Sequence, residues 1–206
     1  IARAKKRKPV IGFCGLATDK NTTYLYQTFN YLKENIVRFL KNPFRNDYEP
    51  LFQSGYERFK LLNRLNFNDN IETNFIYRSK YRAGAINNAE FKATTRQFYD
   101  NIKNSDYIIC IRGTGNFSIR MYETLMMGRI PIFINTDCLL PFTEHINWTD
   151  HMIIIEWSEL QNLEDIILDF HKKISKEDFI SFQIKNRKLW ENQLQPKWIL
   201  ENLADL

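Results

Sequence analysis

The chain has 206 residues, of which 44% are hydrophobic, 15% aromatic and 26% charged, with a formal net charge of +5. That balance excludes a disordered chain, and the length suits one domain, or one domain with an appendage. No apolar run approaches the roughly 18 residues of a membrane span, and the three cysteines, Cys14, Cys110 and Cys138, are too widely spaced for a disulfide framework or a zinc module.

The head, "RAKKRK" from Arg3 to Lys8, concentrates positive charge. It reads as a solvated basic linker over residues 1–8 rather than a nucleic-acid module, since no aromatic RNA-binding motif or finger spacing accompanies it. The first residue is Ile1 and no signal peptide is visible, so the chain reads as a piece of a longer protein. The membrane question stays open.

"PVIGFCG" (Pro9 to Gly15) is a short apolar run closed by glycine, the signal of a buried strand. After a polar loop, Leu25, Phe29, Leu32, Ile36, Phe39 and Leu40 recur at three- and four-residue spacing, which predicts an amphipathic helix over Tyr24 to Leu40. Pro43 and Pro50 interrupt the chain, and Leu51 to Leu65 is expected to be helical. Glu72 to Arg78 has strand character, and Phe91 to Ile102 carries a helical stripe. "DYIICIR" (Asp106 to Arg112) is a second buried strand, followed by a glycine turn and a helix over Phe117 to Met127 that Gly128 would cap. "IPIFIN" (Ile130 to Asn135) and "HMIIIEW" (His151 to Trp157) are further strands. Helices are expected over Leu160 to Ile174, over Lys176 to Asn192, and from Pro196 onward.

Continuous apolar strands alternating with amphipathic helices predict an α/β, Rossmann-like fold: a parallel sheet with helices on both faces. Residues 9–175 form the domain, and the helices of 176–206 pack on it or reach toward another part of the protein. Ligands of such sheets bind outside the carboxyl ends of the strands, which brings forward the loops Gly15–Asn21 and Arg112–Phe117. The three cysteines read as buried free thiols. Asn21, Asn116 and Asn147 begin glycosylation sequons, but a glycan on Asn116 would block the second of these loops, so that sequon reads as chance.

That second loop carries the chemistry. Gly113 and Gly115 are expected to give the turn positive φ and room for a ligand. The helix after it presents unpaired N–H groups and partial positive charge, a ready anion site. At about 100° per residue, Ile119, Tyr122, Leu125 and Met126 form the expected core face, while Arg120 and Glu123 share the opposite one. Arg120 and Glu123 also suit an ordinary surface ion pair. Yet a guanidinium offers a fork for phosphate and a carboxylate accepts ribose hydroxyls, so both beyond a glycine turn point to a nucleotide diphosphate. A dinucleotide reading competes, because "GTGNFS" approaches GxGxxG and Asp137 lies near the fingerprint's acidic position. Ser118 stands where the third glycine belongs, which makes Asp137 a strand-end turn residue instead.

"RGTGNFSIRMYETLMMGRIPIFINTDCLLPF" followed by "INW" resembles the exostosin-like glycosyltransferases of family 47. The resemblance covers Asp106 to Trp157 and extends weakly to "KPVIGFCG". It implies the donor-binding, C-terminal half of a two-domain GT-B fold. By that resemblance Glu123 holds the donor ribose; Arg120 and Arg112 face the diphosphate with Ser118; Gly113 and Asn116 complete the loop; and Gly15 lines the cleft. The implied donor is a UDP-sugar, the acceptor a glycan, the transfer inverting, and the acceptor half of the same protein a partner. Neither a cofactor nor a metal is expected, since no Asp-x-Asp motif occurs in the chain. The catalytic base is expected from the acceptor half; His145 and His151 are poorly placed for it. A microbial cytoplasm is the favoured compartment, with the Golgi lumen the alternative for a eukaryotic protein. The competing functions are a nucleotide-binding module without catalysis and an NAD(P)-dependent enzyme.

Overall fold

The computed structural model describes residues 2–46, 48, 50–113 and 115–201. Its centre is a five-stranded sheet built from β1 (Val10–Leu16), β2 (Glu72–Arg78), β3 (Tyr107–Ile111), β4 (Ile130–Asn135) and β5 (Ile153–Glu156). The order is β2-β1-β3-β4-β5 and every pairing is parallel. The helices are α1 (Asn21–Lys41), α2 (Ser54–Asn66), α3 (Asn88–Lys103), α4 (Ile119–Met126), α5 (Leu163–Lys173), α6 (Lys176–Leu189) and α7 (Pro196–Glu201). The Rossmann-like, doubly wound fold is as expected. Thr114 of the glycine turn and residues 202–206 of the C-terminal segment lie outside the described residues.

Period-2 alternation sorts the strand residues onto two cores. Ile11, Phe13, Tyr107, Ile109, Ile111, Ile132 and Ile134 pack with α2 (Leu61, Leu62, Leu65), α5 (Leu163, Ile167) and Phe179 of α6. Ile108, Cys110 and Phe133 face the other way, onto Ile102 of α3, Met121 and Leu125 of α4, Trp148 and Met152. Both faces are covered, which is why β3 and β4 read as unbroken apolar runs. α6 belongs to this body: Phe179, Gln183 and Asn186 are buried, and Asn186 Nδ2 donates to the carbonyls of Arg129 and His151.

Two expectations need correction. The basic head is docked, not solvated. The Arg3 Nε donates to Asp106 Oδ1 at 2.7 Å, the Lys5 Nζ to the Ile174 carbonyl at 2.7 Å, and the Lys6 carbonyl meets His171 Nε2 at 3.0 Å. Asp106 is fully buried and also accepts from the Val10 amide, so the strap is tied to the start of β3 and β1. The second concerns cysteine burial: Cys14 and Cys110 are buried free thiols, but Cys138 is only half-buried.

α1 departs from the usual arrangement. Its polar residues face the domain: Gln27 Nε2 donates to Ser54 Oγ, its Oε1 accepts from the Gly55 amide, and Thr28 Oγ1 accepts from Gln53 Nε2. Its apolar stripe points outward.

Candidate functional site

The strand order reverses between β1 and β3, since β1 leads to β2 on one side and β2 leads to β3 on the other. At such a switch point the loops leave in opposite directions and a crevice opens above the sheet. Here β1 and β3 pair only through Ile11–Tyr107 and Gly12–Ile108 before they part. A cavity of about 650 Å³ fills the crevice, in the range of a small-molecule site.

Among the described residues four arginines line it, Arg58, Arg78, Arg82 and Arg120, against one carboxylate, Glu123. Arg120 rises from the first turn of α4. Its Nη2 donates to the Cys14 carbonyl at 3.0 Å, and its guanidinium carbon lies 4.2 Å from the centre of the Phe13 ring. Gly15 makes this possible: a Cβ there would meet Arg120 Nη2 at 2.6 Å. Arg58 comes from α2 and fastens the two parted strands, donating to the carbonyls of Leu16 (3.3 Å), Ile111 (3.3 Å) and Arg112 (2.8 Å). Arg78, the last residue of β2, donates to the Thr94 carbonyl and Gln97 Oε1, both at 2.8 Å. The Nε atoms of Arg58, Arg78 and Arg120 are buried without an acceptor.

The cations feel one another and the loss of water. Burial, then the neighbouring Arg120, lowers the Arg58 pKa to about 9. Burial also lowers that of Arg120, with Cys110, Glu123 and Cys14 opposing it. Burial raises the Glu123 carboxyl above its usual range, with Arg120 pulling the other way. A buried cluster of one sign is costly until an anion neutralises it.

Glu123 is half-buried, and its carboxylate makes no hydrogen bond or ion pair among the described residues. The surface ion-pair reading of Arg120 and Glu123 is therefore set aside: Arg120 turns one donor to β1 and leaves the carboxylate facing the cavity. Burial, and then Glu123, raises the pKa of the Tyr99 phenol, another lining residue. Ser118 is buried at the N-cap of α4 and its hydroxyl makes no cap bond, so it too is available to a ligand.

Of the residues singled out by sequence, the structure brings together Gly15, Gly113, Ser118, Arg120 and Glu123 around the cavity. Arg112 and Asn116 are not among its lining residues. The Arg112 guanidinium is buried 5.0 Å from the Phe52 ring centre, on the other side of the turn. Asn116 ties the turn to the next loop, donating to the Asp137 carbonyl and accepting from Thr136 Oγ1. Asp137 itself has φ of 59°, a strand-end turn as expected. His151 is buried against Asn186, and neither it nor His145 lines the cavity.

Two details of the turn differ from expectation. Gly113 and Gly115 do not take positive φ. Gly115 is needed for space instead, because a Cβ would sit 2.7 Å from the Phe117 ring. The core face of α4 is Met121, Thr124 and Leu125, whereas Ile119 is exposed. The helix starts two residues later than expected and is rotated so that Arg120 and Glu123 face the crevice rather than bulk water.

Arg58, Arg78 and Arg82 were not found by sequence reasoning. Arg78 had a signal, as the last residue of a predicted strand at the ligand-binding rim. Arg58 had none, because it reaches the site from the middle of a helix that follows a long loop.

The fold and this cavity define a Rossmann-like α/β domain with a cationic, carboxylate-bearing site at its switch point. The Exostosin GT47 domain model matches residues 52–169, more than half of the chain, and the chain belongs to that family. It is similar to a probable glycosyltransferase of Arabidopsis thaliana, 31% identical over 70 residues, 34% of this chain and 14% of the relative. It is also similar to a probable glucuronosyltransferase of Oryza sativa subsp. japonica (27% over 84 residues, 39% and 19%). A third relative is the exostosin-1 homolog of Caenorhabditis elegans (29% over 80 residues, 38% and 21%). The matching segment thus spans less than a quarter of each of these relatives.

Proposed function

We propose that this chain is the donor-binding part of a glycosyltransferase and that the cavity takes a nucleoside-diphosphate sugar, UDP being the nucleotide. The observation that carries the reading is the excess of arginine over carboxylate around a crevice that also exposes Glu123. Arg58 and Arg120, with the Ser118 hydroxyl and the amides at the start of α4, bind the diphosphate. Glu123 accepts the ribose hydroxyls. As the sugar leaves, charge collects on the diphosphate, and fixed guanidinium groups in a dry site stabilise it in the role a divalent metal plays elsewhere. Arg112 and Asn116 hold the turn in shape.

Inverting transfer needs a base beside the acceptor hydroxyl. Glu123 is the one carboxylate on the described cavity wall, and the ribose engages it. The base and the glycan acceptor therefore belong to an acceptor half outside these residues, across the crevice. The named relatives come from plants and a nematode. That removes the ground for a microbial cytoplasm, and the Golgi lumen is the compartment we propose.

The test is transfer by the protein joined to its acceptor half, with UDP-glucuronate and other UDP-sugars as donors, in the presence of EDTA. Metal-independent transfer with an inverted anomeric centre is expected. Loss of UDP binding on adding EDTA would contradict the arginine role. The same cavity without an acceptor half is a nucleotide-binding module, and it would bind UDP and transfer nothing.

A further inference from the structure

Asn-x-Ser/Thr triplets begin at Asn21, Asn116 and Asn147, and the fold treats the three differently. An acceptor of a glycan needs its asparagine amide and the hydroxyl two residues on to be reachable, on a surface loop with room for a bulky, hydrated group. Asn116 meets neither condition. Its Oδ1 accepts from Thr136 Oγ1 at 2.7 Å and its Nδ2 donates to the Asp137 carbonyl at 3.0 Å, so both ends of the amide hold the glycine turn. Its hydroxyl partner, Ser118, is buried. Asn21 is the first residue of α1, and its triplet is wound into that helix rather than laid out in a loop.

Asn147 meets both conditions. It lies between β4 and β5, with extended backbone (φ −79°, ψ 96°), just before a 3₁₀ turn over Trp148–Asp150. The middle residue of the triplet is its anchor. Trp148 is 4% exposed, belongs to the core of Ile146 and Met152, and donates from Nε1 to the Pro141 carbonyl at 2.8 Å. Asn147 and Thr149, on either side of it, are exposed. Thr149 Oγ1 donates to Asn147 Oδ1 at 2.9 Å, so hydroxyl and amide lie side by side. The Asn147 Nδ2, where a glycan attaches, makes no hydrogen bond among the described residues, and a bond formed there breaks none. The place is also clear of the crevice. The turn leads into the amino end of β5, an edge strand, whereas the cavity opens at the carboxyl ends of β1 and β3 and is lined by neither Asn147 nor Thr149.

We propose that Asn147 carries an N-linked glycan. In the transfer, Nδ2 bonds to the anomeric carbon of an oligosaccharide held on a lipid diphosphate. The bond from that carbon to the diphosphate oxygen breaks, its electron pair leaves with the lipid diphosphate, and Nδ2 gives up one of its two protons. The proposal rests on the lumenal compartment proposed above, and it does not depend on what the cavity binds.

The test is to express the chain behind a cleavable secretory leader in a eukaryotic cell and digest it with a peptide N-glycosidase, which leaves aspartate where a glycosylated asparagine stood. A fall in intact mass is expected, with aspartate at position 147 by peptide mass spectrometry and unconverted asparagine at 116. Asn147→Gln should lose this glycan, as should Thr149→Ala, which keeps the asparagine; Thr149→Ser should retain it. Whole-cell material is read beside the secreted fraction, so a variant held back by poor folding still reports. A bare Asn147 in the unsubstituted chain overturns the proposal, as does a glycan there that survives Thr149→Ala. The same digestion of the protein from its own cells tests the compartment. Asn147 occupied behind the leader but bare in the protein's own cells would overturn the lumenal compartment, and with it the glycan on the natural protein.

Discussion

Arg58 and Arg120 approach each other in a site where burial has removed much of their water, so positive charge is concentrated there. An anion such as a diphosphate would relieve it, which gives the site its sign preference. Truncating Arg120 or Glu123 to Ala should each weaken UDP binding by ~1–3 kcal/mol, the range for charge-assisted hydrogen bonds, as read by calorimetry. Arg58 remains a guanidinium cation across the working pH range. Arg58→Gln should therefore weaken UDP binding by ~1–3 kcal/mol, as read by calorimetry; unchanged affinity would remove Arg58 from the site. Ser118, Arg120 and Glu123 were legible in the sequence because they share one strand–turn–helix unit. Arg112 belongs to the same unit, yet its side chain turns to Phe52, a contact that no local pattern reports.

At the scale of elements, β1 to β5 and the helices were legible from periodicity, and the departures have local causes. The helix expected from Leu160 begins as a tighter turn over Trp157–Asn162 and becomes regular at Leu163. The helix from Lys176 widens into a π turn over Trp190–Leu194. Gly128 ends α4 at φ of 60°, the left-handed cap its position predicted. Gly128→Ala should lower stability by about 1–2 kcal/mol in urea melts, since a Cβ adds strain there and sits 3.1 Å from the Gln183 carbonyl. The outward stripe of α1 was visible as a stripe, but its direction was not, because pattern alone does not say which face the domain receives. The docked head was misread for a similar reason: a run of Arg and Lys reads as solvated until its partners, Asp106 and the Ile174 carbonyl, are known. Arg3→Ala would remove the ion pair on the buried Asp106, leaving it the Val10 amide and the neighbouring Arg129, and should cost about 2 kcal/mol of stability. An unchanged unfolding midpoint would show that the head is not docked in solution.

For the whole molecule, the alternation of strands and helices predicted a parallel, two-sided sheet, while strand order and the parting of β1 from β3 are tertiary facts. That parting makes the crevice and turns one glycine loop into one wall of a site whose other walls come from α2, the end of β2 and α3. Under the proposed function the chain is half of a cleft: it would fix how a donor is held and leave acceptor chemistry to a facing half. The most direct test of this account is a calorimetric titration of the chain with UDP, beside Arg120→Ala, Glu123→Ala and a parallel titration with NAD. Saturable UDP binding that both substitutions weaken, with no NAD binding, is the predicted result. Binding of NAD but not UDP, or UDP affinity unchanged in both variants, would contradict it.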